Sequence, residues 1–304
     1  MSVAEIELTI EPQGNVAARP EAPAHRYRSV VILGKETETN CALVAAFTGY
    51  GQDAQIAQAS SPPRLGKGDL VIARLDVLPT LDGIEAGLWR LPRLERQGAQ
   101  ILNSPPALSA AHDKLSTALF LGRSGVEQPL TAHVREAKLP GFAAPYVVKP
   151  RFGSWGRDVY RCLDEDELLA RLEVLRSRDW FRRHGALVQS LIEPTGRDLR
   201  LIVAGGRVIG AVERRAAPGE WRTNVALGAV RIRVDAPPAD RALALSAVAA
   251  LGLDLAGVDI AHDADGRSYV LEVNGAVDFN PTYADDVFAA AASALLERAA
   301  ARVG

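Results

Sequence analysis

The sequence predicts a mixed α/β protein in which a small parallel sheet comes first and antiparallel strands follow. Three observations lead to this prediction. Apolar strand patterns alternate with helix patterns up to about residue 102, and hairpin signals appear from residue 198 onward. In addition, 48% of the 304 residues are hydrophobic, which is enough for one large core or two to three small ones.

The first hundred residues carry the pattern of successive β-α units. Residues 1–25 mix Glu, Gln, Asn and Pro with small residues and show no sustained period, so we predict a disordered arm outside the fold. Strands and helices then alternate until Asn103-Ser-Pro-Pro106, which is predicted to end an N-terminal α/β domain of residues 26–105. The predicted elements are strand 29–33, helix 37–50, strands 53–58 and 70–75, helix 85–97 and strand 100–102.

The remaining chain changes from mixed elements to paired strands. A Gly205-Gly206 turn between two apolar runs indicates a β-hairpin, and residues 263–266 separate a second strand pair. An acidic first turn complements the dipole of the helix that begins at Asp164. The predicted helices are 109–124, 164–183, 241–251 and 285–301, and the predicted strands are 146–149, 159–162, 186–192, 199–204, 207–214, 257–260 and 268–273.

Charge and composition exclude several classes of function. The net charge of -2 and the pI near 6.2 argue against a nucleic-acid-binding surface. No apolar run approaches the roughly 20 residues that span a bilayer, and no signal peptide is recognisable, so we predict a cytoplasmic protein without a membrane partner. Cys41 and Cys162 are too few for a disulfide framework or a zinc cluster.

A glycine-rich loop at residues 151–157 is a candidate phosphate-binding element. Its glycines would let backbone N–H groups approach an anion, and Ser154 adds a hydroxyl. Lys149 lies on the apolar strand just before the loop, where a buried ammonium group would need a negative partner. On the pattern alone, a simple turn and an edge-strand lysine that faces solvent remain the alternatives.

Three oxygen-bearing side chains near the C-terminus are candidate metal ligands. Asp259 and Glu272 each lie near the end of an apolar strand, and Asn274 follows on the same face as Glu272. Carboxylate and amide oxygens are the ligands that Mg²⁺ prefers, with phosphates and waters in its remaining positions. The pattern therefore implies a nucleotide, while solvent-facing or salt-bridged carboxylates remain the alternative.

Arginines lie in the sequence between the loop and these carboxylates. Guanidinium groups suit both phosphate and carboxylate. Arg200 is favoured because its strand lies between the two candidate ligand sites, whereas the pair Arg214-Arg215 leaves open which side chain points inward. The segment 221–224 adds Asn224 as an amide donor.

These segments, in this order, resemble the ATP-grasp ligases, and within them the branch of RimK-type glutamate ligases and LysX-type carrier-protein ligases. The match runs from about Val30 to the C-terminus. The glycine-rich loop and the segment from 272 to 279 look closer to the LysX-type sequences. The segments that carry the resemblance are 103–114, 129–131, 147–157 (VVKPRFGSWGR), 189–192 (QSLI), 196–200 (GRDLR), 221–224 (WRTN), 257–259 (GVD) and 272–274 (EVN).

The resemblance implies an ATP-grasp fold in which the N-terminal domain is followed along the chain by two α+β subdomains that clamp ATP. They would be a central subdomain, residues 106–188, and a C-terminal subdomain, residues 189–304. In such ligases a carboxylate is phosphorylated by ATP, and an amine then attacks the acyl phosphate, so catalysis rests on alignment and charge neutralisation. The implied cofactors are ATP and Mg²⁺, with Mn²⁺ as an alternative.

The resemblance also implies a role for each candidate residue. Arg200, Arg214 and Asn224 would bind the acyl phosphate or the amino-acid substrate. Asp259, Glu272 and Asn274 would hold the metal. The implied nucleotide-binding residues are Lys114 and Lys149 at the phosphates, Ser154, Trp155 and Gly156 in the covering loop, Gln189, Ser190, Leu191 and Ile192 at the adenine, Glu193 at the ribose, and Asp198.

The implied activity is the addition of glutamate or a similar acidic amino acid to an amine- or carboxylate-bearing acceptor. The acceptor would be a small molecule, a peptide or a carrier protein, and a LysX-like role in amino-acid biosynthesis with a small acidic carrier protein is one alternative. A nucleotide-binding scaffold without turnover and a small-molecule kinase are two others. The family resemblance further implies a homodimer or homotetramer.

Overall fold

A computed structural model describes residues 26–302, which form three β-sheets and the helices that pack on them. The predicted arm 1–25 lies outside the described residues. Between residues 26 and 302, no helix is both long enough and apolar enough to cross a bilayer.

The first sheet is parallel, as predicted. Its central strand is followed by a helix whose N-cap, Thr37, accepts a hydrogen bond from the backbone N–H of Asn40 at 3.2 Å. The helix returns the chain to a parallel strand on one side, and the chain then crosses to the other side. The elements are β1 Ser29–Leu33, α1 Glu38–Gly49, β2 Ala54–Ala57, β3 Asp69–Ala73, α2 Leu91–Arg96 and β4 Gln100–Leu102, with strand order β2-β1-β3-β4.

The predicted helix 85–97 is wrong at its start. Residues 88–90 form a 3₁₀ turn and α2 begins only at Leu91. Upstream, the backbone N–H of Glu85 donates to Asp76 O at 2.8 Å, and the Glu85 carboxylate accepts from the backbone N–H of Asp76 at 3.1 Å. These hydrogen bonds hold Glu85 beside the end of β3, so its backbone cannot join the helix.

The predicted helix 109–124 is two helices, α3 Pro105–His112 and α4 Lys114–Arg123. Asp113 separates them with an extended ψ of 98°, and its carboxylate caps α4 by accepting from Leu115 N at 3.2 Å. The predicted boundary at 103–106 contains the start of α3, because proline is well tolerated in a first helical turn.

The second sheet is antiparallel and carries two helices. Its order is β5-β8-β6-β7. The predicted helix 164–183 is again two, because the chain turns at residues 176–178 so that Trp180 and Phe181 enter the same core as Leu168. The elements are β5 Thr131–Val134, β6 Tyr146–Pro150, β7 Tyr160–Cys162, α5 Glu165–Leu175, α6 Asp179–His184 and β8 Ala186–Ser190. The predicted subdomain border between residues 188 and 189 lies within β8.

The third sheet has five antiparallel strands in the order β11-β10-β9-β12-β13. Both predicted hairpins are present in it, while the edge strand β11 was not predicted. Helices α3, α4 and α7 pack on one face through the core that contains Leu108, Leu121 and Val248. The elements are β9 Arg197–Ala204, β10 Arg207–Arg215, β11 Val230–Arg233, α7 Pro238–Leu251, β12 Leu255–His262, β13 Ser268–Asn274 and α8 Val287–Ala300.

Helix α8 packs between the first and third sheets. It packs against α1, and its residues Val287, Leu295 and Leu296 belong to one buried cluster with Ile32 and Ile72 of the first sheet. The first sheet therefore has α1 and α8 on one face, and its core is continuous with that of the third sheet.

Candidate active site

A cleft between the second and third sheets gathers most of the predicted site residues. It encloses about 970 Å³, part of it open to solvent. Glu193, Arg200 and Asn274 do not line it. The predicted residues that do are Lys114, Lys149, Ser154, Trp155, Gly156, Gln189, Ser190, Leu191, Ile192, Asp198, Arg214, Asn224, Asp259 and Glu272.

Lys114 begins α4 and reaches across the cleft. Its Nζ donates to Gly153 O at 2.5 Å and to Glu272 Oε1 at 2.8 Å. The carboxylate of Asp113 fixes this helix start, because it also accepts two hydrogen bonds, each of 2.6 Å, from Arg151. Lys114 thereby connects the glycine-rich loop to the end of β13.

Lys149 is a buried ammonium group on β6 with no carboxylate in hydrogen-bonding contact. Its nearest acceptor is Leu271 O, at 3.4 Å, and only 8% of the residue is exposed. Burial and the charge of Lys114 lower the pKa of Lys149 to about 8, although Glu272 and Asp259 partly oppose the shift. A negative ligand in the cleft would remove the cost of burying this charge.

Glu272 supplies the negative charge next to the two lysines. Burial alone would raise its pKa, but Lys114 and Lys149 outweigh that effect and the pKa of Glu272 is lowered. The carboxylate is therefore ionised at neutral pH, and its second oxygen, Oε2, has no hydrogen-bond partner among the described residues.

The glycine-rich loop adopts left-handed backbone conformations at two adjacent residues. Trp155, with φ 65°, is 55% exposed at the mouth of the cleft. Gly156 has φ 70°, and a Cβ atom there would lie 2.6 Å from Asn224 Oδ1. Arg222 Nη1 donates to Gly156 O at 3.0 Å, so the loop contacts the segment 221–224 of the opposite subdomain.

The end of β8 and the residues after it line the cleft, and most of their polar groups already have partners. Ser190 Oγ accepts from Leu130 N at 3.0 Å, and Leu191 N donates to Pro145 O at 2.9 Å. Gln189 is buried and its amide donates to Thr131 Oγ1 at 2.8 Å. The backbone N–H of Ile192 has no hydrogen-bond partner within residues 26–302, which leaves it available to a ligand.

Four charged side chains form a buried network on the cleft face of the third sheet. Arg200 binds both oxygens of Asp259, at 2.6 and 2.7 Å, while Arg214 Nη2 donates to the same carboxylate at 2.8 Å. Arg214 also pairs with Asp198, through Nε at 2.8 Å and through Nη2. Although burial would raise it, the pKa of Asp259 is lowered well below its usual range by the two arginines.

The strand alternation decides between the two adjacent arginines. Arg214 is 2% exposed and faces the cleft, whereas Arg215 is exposed and pairs with Glu213. Arg200 lies beside Asp259 on the neighbouring strand and is not among the residues that line the cleft.

The predicted metal ligands fit a magnesium ion unequally. Glu272 keeps an unpaired oxygen, and Asn274 lies two residues along the same face of β13 with its Oδ1 accepting from Ala276 N at 2.9 Å. Both oxygens of Asp259 are bound by arginine. No group of three or more acidic, His or Cys side chains suited to one ion occurs in residues 26–302. Glu272 and Asn274 therefore fit Mg²⁺, which commonly binds one or two carboxylates plus phosphates and water.

Several residues that organise the site were not predicted. Thr223 Oγ1 donates to Asp198 at 2.6 Å, Arg222 holds the loop, and Asp113 positions Lys114. The sequence offered one signal, an Asp directly before a helical Lys, which is a common N-cap arrangement. The contacts of Arg222 and Thr223 depend on two segments meeting across the cleft, so no local pattern could indicate them.

Comparison with known proteins gives a consistent result. A family model described as the RimK-like ATP-grasp domain matches residues 111–293. A probable alpha-L-glutamate ligase of Serratia proteamaculans is 36% identical over 220 residues, covering 69% of this chain and 70% of that protein. The tetrahydromethanopterin:alpha-L-glutamate ligase of Methanosarcina acetivorans is 29% identical over 293 residues, covering 81% and 90% respectively.

Among solved structures, the ATP-grasp ligase PsnB complexed with a minimal precursor, Mg and ADP superposes with a TM-score of 0.64. The alignment covers 90% of this chain and 98% of that one, at 20% sequence identity. This likeness confirms the predicted ATP-grasp fold.

Proposed function

The chain belongs to the RimK-like ATP-grasp family, and we propose that it is an ATP- and Mg²⁺-dependent ligase that joins L-glutamate through its amino group to a carboxylate on an acceptor. The observation that carries the proposal is the convergence of Lys114, Lys149 and Glu272 in one cleft with the network of Arg214 and Asp259. Cations there face the place where phosphate would lie, and an ionised carboxylate lies beside them.

The nucleotide fits the cleft by its chemistry. Lys149 has no carboxylate in hydrogen-bonding contact and would gain an anionic partner in a phosphate oxygen. Lys114 would contact both Glu272 and the phosphates. The apolar side chains of Leu191 and Leu271 line the same cleft, and the Ile192 N–H offers a hydrogen bond to a purine ring. Ser154, Trp155 and Gly156 would cover the phosphates.

Magnesium would be held by Glu272 and Asn274, with Asp259 next to them across the strand pair. When bound, the ion neutralises phosphate charge and aligns the transferred group. The chain's own residues keep this region negative: Glu272 stays ionised because two lysines lower its pKa.

The reaction consists of two displacements. A carboxylate oxygen of the acceptor attacks the γ-phosphorus of ATP, and the bond to the ADP oxygen breaks with its electron pair leaving on ADP. The glutamate nitrogen then attacks the acyl carbon, the carbon–oxygen bond to phosphate breaks, and the amine proton passes to the departing phosphate or solvent. Lys114, Lys149 and Arg214 would stabilise the charge that develops in both steps.

Arg200 is proposed as a positioning residue. It does not line the cleft, and it donates to Asp259 through Nε and Nη2, so it fixes the carboxylate that Arg214 also contacts. Arg214 and Asn224 line the cleft and are the groups proposed to contact the acyl phosphate. Asp198, bound by Arg214 and Thr223, would orient that guanidinium.

The acceptor is proposed to be a small molecule or a peptide. One relative is named for the ligation of glutamate to tetrahydromethanopterin, and the structural neighbour PsnB has also been solved in complex with a precursor peptide. A small acidic carrier protein, with a LysX-like role, remains the alternative acceptor, and a homodimer or homotetramer remains the expected assembly.

The decisive experiment measures ADP release from Mg²⁺ and ATP with each of the twenty amino acids, with and without candidate carboxylate acceptors. Mass spectrometry then identifies the product. We expect release that requires both glutamate and an acceptor, and a product heavier by one glutamyl residue. A phosphorylated acceptor as the final product would indicate a kinase, and bound ATP without turnover would indicate a scaffold. Glu272→Gln is the inactive control.

A further inference from the structure

The connection between β10 and β11 crosses from the third sheet to the glycine-rich loop. It comprises residues 216–229, which we term the strap. Residues 221–224 of the strap line the cleft together with residues 153–157 of the loop. The strap therefore belongs to one side of the cleft and contacts the element that covers the other side.

Hydrogen bonds to the start of β9 hold the strap in place. Ala216 N donates to Gly196 O at 2.9 Å, and Gly196 N donates to Trp221 O at 3.2 Å. Thr223 Oγ1 donates to the buried carboxylate of Asp198 at 2.6 Å. The segment between these contacts is thus fixed relative to the third sheet.

Glu220 orients the guanidinium group of Arg222. Its Oε1 accepts from the backbone N–H groups of Trp221 and Arg222, at 2.9 and 3.0 Å, and from Arg222 Nε at 3.0 Å. Its Oε2 accepts from Arg222 Nη2 at 2.8 Å. These hydrogen bonds to Arg222 lower the pKa of Glu220 to about 2, so the pair stays charged across the pH range of an enzyme assay.

The remaining nitrogen of Arg222 binds the backbone of the glycine-rich loop. Nη1 donates to Gly156 O at 3.0 Å and to Val159 O at 3.4 Å. Because Nε and Nη2 are held by Glu220 in a bidentate arrangement, the direction of Nη1 is set by the strap. The two carbonyl oxygens can meet it only when the loop lies against the strap.

The other anchor of the loop lies within the second sheet. The carboxylate of Asp158, a residue with φ 51°, accepts from Tyr160 Oη at 2.9 Å and from Trp180 Nε1 at 2.8 Å. The base of the loop is thereby fixed to β7 and α6. Its tip, residues 153–156, instead depends on contacts across the cleft, from Arg222 and from Lys114.

An acyl phosphate reacts with water as well as with an amine. A water oxygen that attacks the acyl carbon breaks the carbon–oxygen bond to phosphate, and the electron pair of that bond leaves with the phosphate. One proton of the water passes to phosphate and the other to solvent, and the original carboxylate is restored. ATP is then consumed without an amide, and closing the site over the intermediate prevents this side reaction.

We propose that Arg222, oriented by Glu220, is a latch that holds the glycine-rich loop closed and so couples ATP consumption to amide formation. The inference rests on the proposed ligase function and names two positioning residues for it. Both act through the backbone of the loop and not by contact with the reacting atoms.

The first test measures the ADP released per amide formed, with L-glutamate and the acceptor that the product analysis identifies. The ratio should be near one for the wild-type enzyme. It should be at least about twofold higher for Arg222→Met, because loss of a charge-assisted hydrogen bond should raise the open population of the loop about tenfold. Glu220→Gln should raise the ratio less, and Arg222→Lys should restore part of the coupling because an ammonium group can still donate to the loop.

Arg215→Met is the matched control. Arg215 pairs with Glu213 at the same two-residue spacing as Arg222 with Glu220, but its side chain is exposed and does not line the cleft. The control should leave the ratio of ADP to amide unchanged. A purely structural role of Arg222 would lower the melting temperature and kcat without changing this ratio.

Release of a fluorescent nucleotide makes a second test independent of the ligase reaction. Methylanthraniloyl-ADP is bound to the full chain with Mg²⁺ and displaced by excess ATP in a stopped-flow fluorimeter. The dissociation rate constant should rise at least about fivefold in Arg222→Met and stay within about twofold of the wild-type value in Arg215→Met, because only the first change frees the loop.

The two tests separate failure of the latch from failure of the proposed function. If no amino acid and acceptor support ADP release, the ligase proposal fails, while the dissociation rate still decides whether Arg222 holds the loop. Equal dissociation rates in Arg222→Met and the wild-type protein would overturn the latch. Faster dissociation with an unchanged ratio of ADP to amide would overturn its role in excluding water.

Discussion

Lys149 and Arg214 are both buried cations of the cleft between the second and third sheets, but their surroundings differ. Lys149 has only a carbonyl oxygen at 3.4 Å, whereas Arg214 is bound by two carboxylates. A cation without a counter-ion destabilises the folded protein until a ligand binds, whereas a fully paired cation is part of the framework. The same type of substitution should therefore have opposite effects on stability at the two positions.

Lys149→Met should abolish turnover while leaving the melting temperature unchanged or higher. Methionine fills a similar volume and removes the cost of burying the ammonium group. The Kd for an ATP analogue should rise at least about tenfold, because a charge-assisted hydrogen bond to phosphate is lost. Titration and thermal unfolding measure the two effects, with exposed Lys67→Met as control. Full activity of the variant would disprove the phosphate contact.

Arg214→Met should instead lower the free energy of unfolding by about 3–5 kcal/mol, the usual cost of leaving a buried carboxylate unpaired. Asp198 would retain only the hydroxyl of Thr223 as partner. The adjacent Arg215→Met, on the exposed face, should cost no more than about 1 kcal/mol. Urea unfolding at pH 7.5 compares the two, and equal losses would contradict the network described for Arg214.

The sequence predicted which residues share a cleft better than it predicted their contacts. Lys114, Lys149 and Glu272 do lie in one cleft, because each belongs to a segment with a recognisable pattern. The pairing of Asp259 with two arginines could not be predicted, since it depends on the register that sets Arg200 opposite Asp259. Once that register is known, strand alternation also distinguishes Arg214 from Arg215.

At the level of elements, two separate requirements specify the conformation of the glycine-rich loop at one residue. Gly156 needs a positive φ, and it also passes close to Asn224. Both the positive φ and the close approach disfavour a side chain at this position. Only the close approach involves Asn224, which lines the cleft.

Gly156→Ala should therefore reduce kcat by about ten- to a hundredfold, because its Cβ would displace Asn224 from its position. The free energy of unfolding should fall only by the cost of the left-handed backbone at an alanine, roughly 1–2 kcal/mol. Gly219→Ala is a matched control, since Gly219 has φ 81° but no atom within 4 Å of the added Cβ. Steady-state kinetics of both variants test this expectation, and an equal loss of kcat would assign the effect to strain alone.

Long apolar strands and their hairpins were predictable, whereas short polar elements were not. The strand β5 has the sequence Thr-Ala-His-Val, and β11 alternates Val and Ile with two arginines at a sheet edge. Neither has enough apolar residues to indicate a strand before its partner is known. Similarly, Asp113 was included in a helix pattern, although its side chain ends one helix and caps the next.

For the whole molecule, Asp76 is expected to shape the pH dependence of stability. Its pKa is about 6 in the folded protein against 3.8 for an ordinary aspartate, so the folded state binds this proton more tightly. The resulting stabilisation is complete below about pH 4 and is lost as the pH rises through 6. At pH 7.5 the ionised carboxylate should thus cost up to about 3 kcal/mol.

Asp76→Asn should consequently be more stable than the wild-type protein at pH 7.5, with a smaller difference at pH 5.0. Urea unfolding measures the free energy of unfolding at the two pH values, and the change from pH 5.0 to 7.5 should be the same in the control Glu95→Gln, an exposed carboxylate, as in the wild-type protein. If the free energy of unfolding changes equally with pH in the wild-type protein and in Asp76→Asn, ionisation of Asp76 does not destabilise the fold.

The packing of α8 on the first sheet has a consequence for the protein's synthesis on the ribosome. Leu295 and Leu296, which cover Ile32 and Ile72, emerge from the ribosome more than 220 residues after them. Until then, one face of the nascent sheet is covered by α1 alone and remains partly apolar toward its surroundings. We expect this half-covered sheet to attract chaperones that bind nascent chains, and a chain that stops before residue 287 to be degraded in the cell rather than to accumulate.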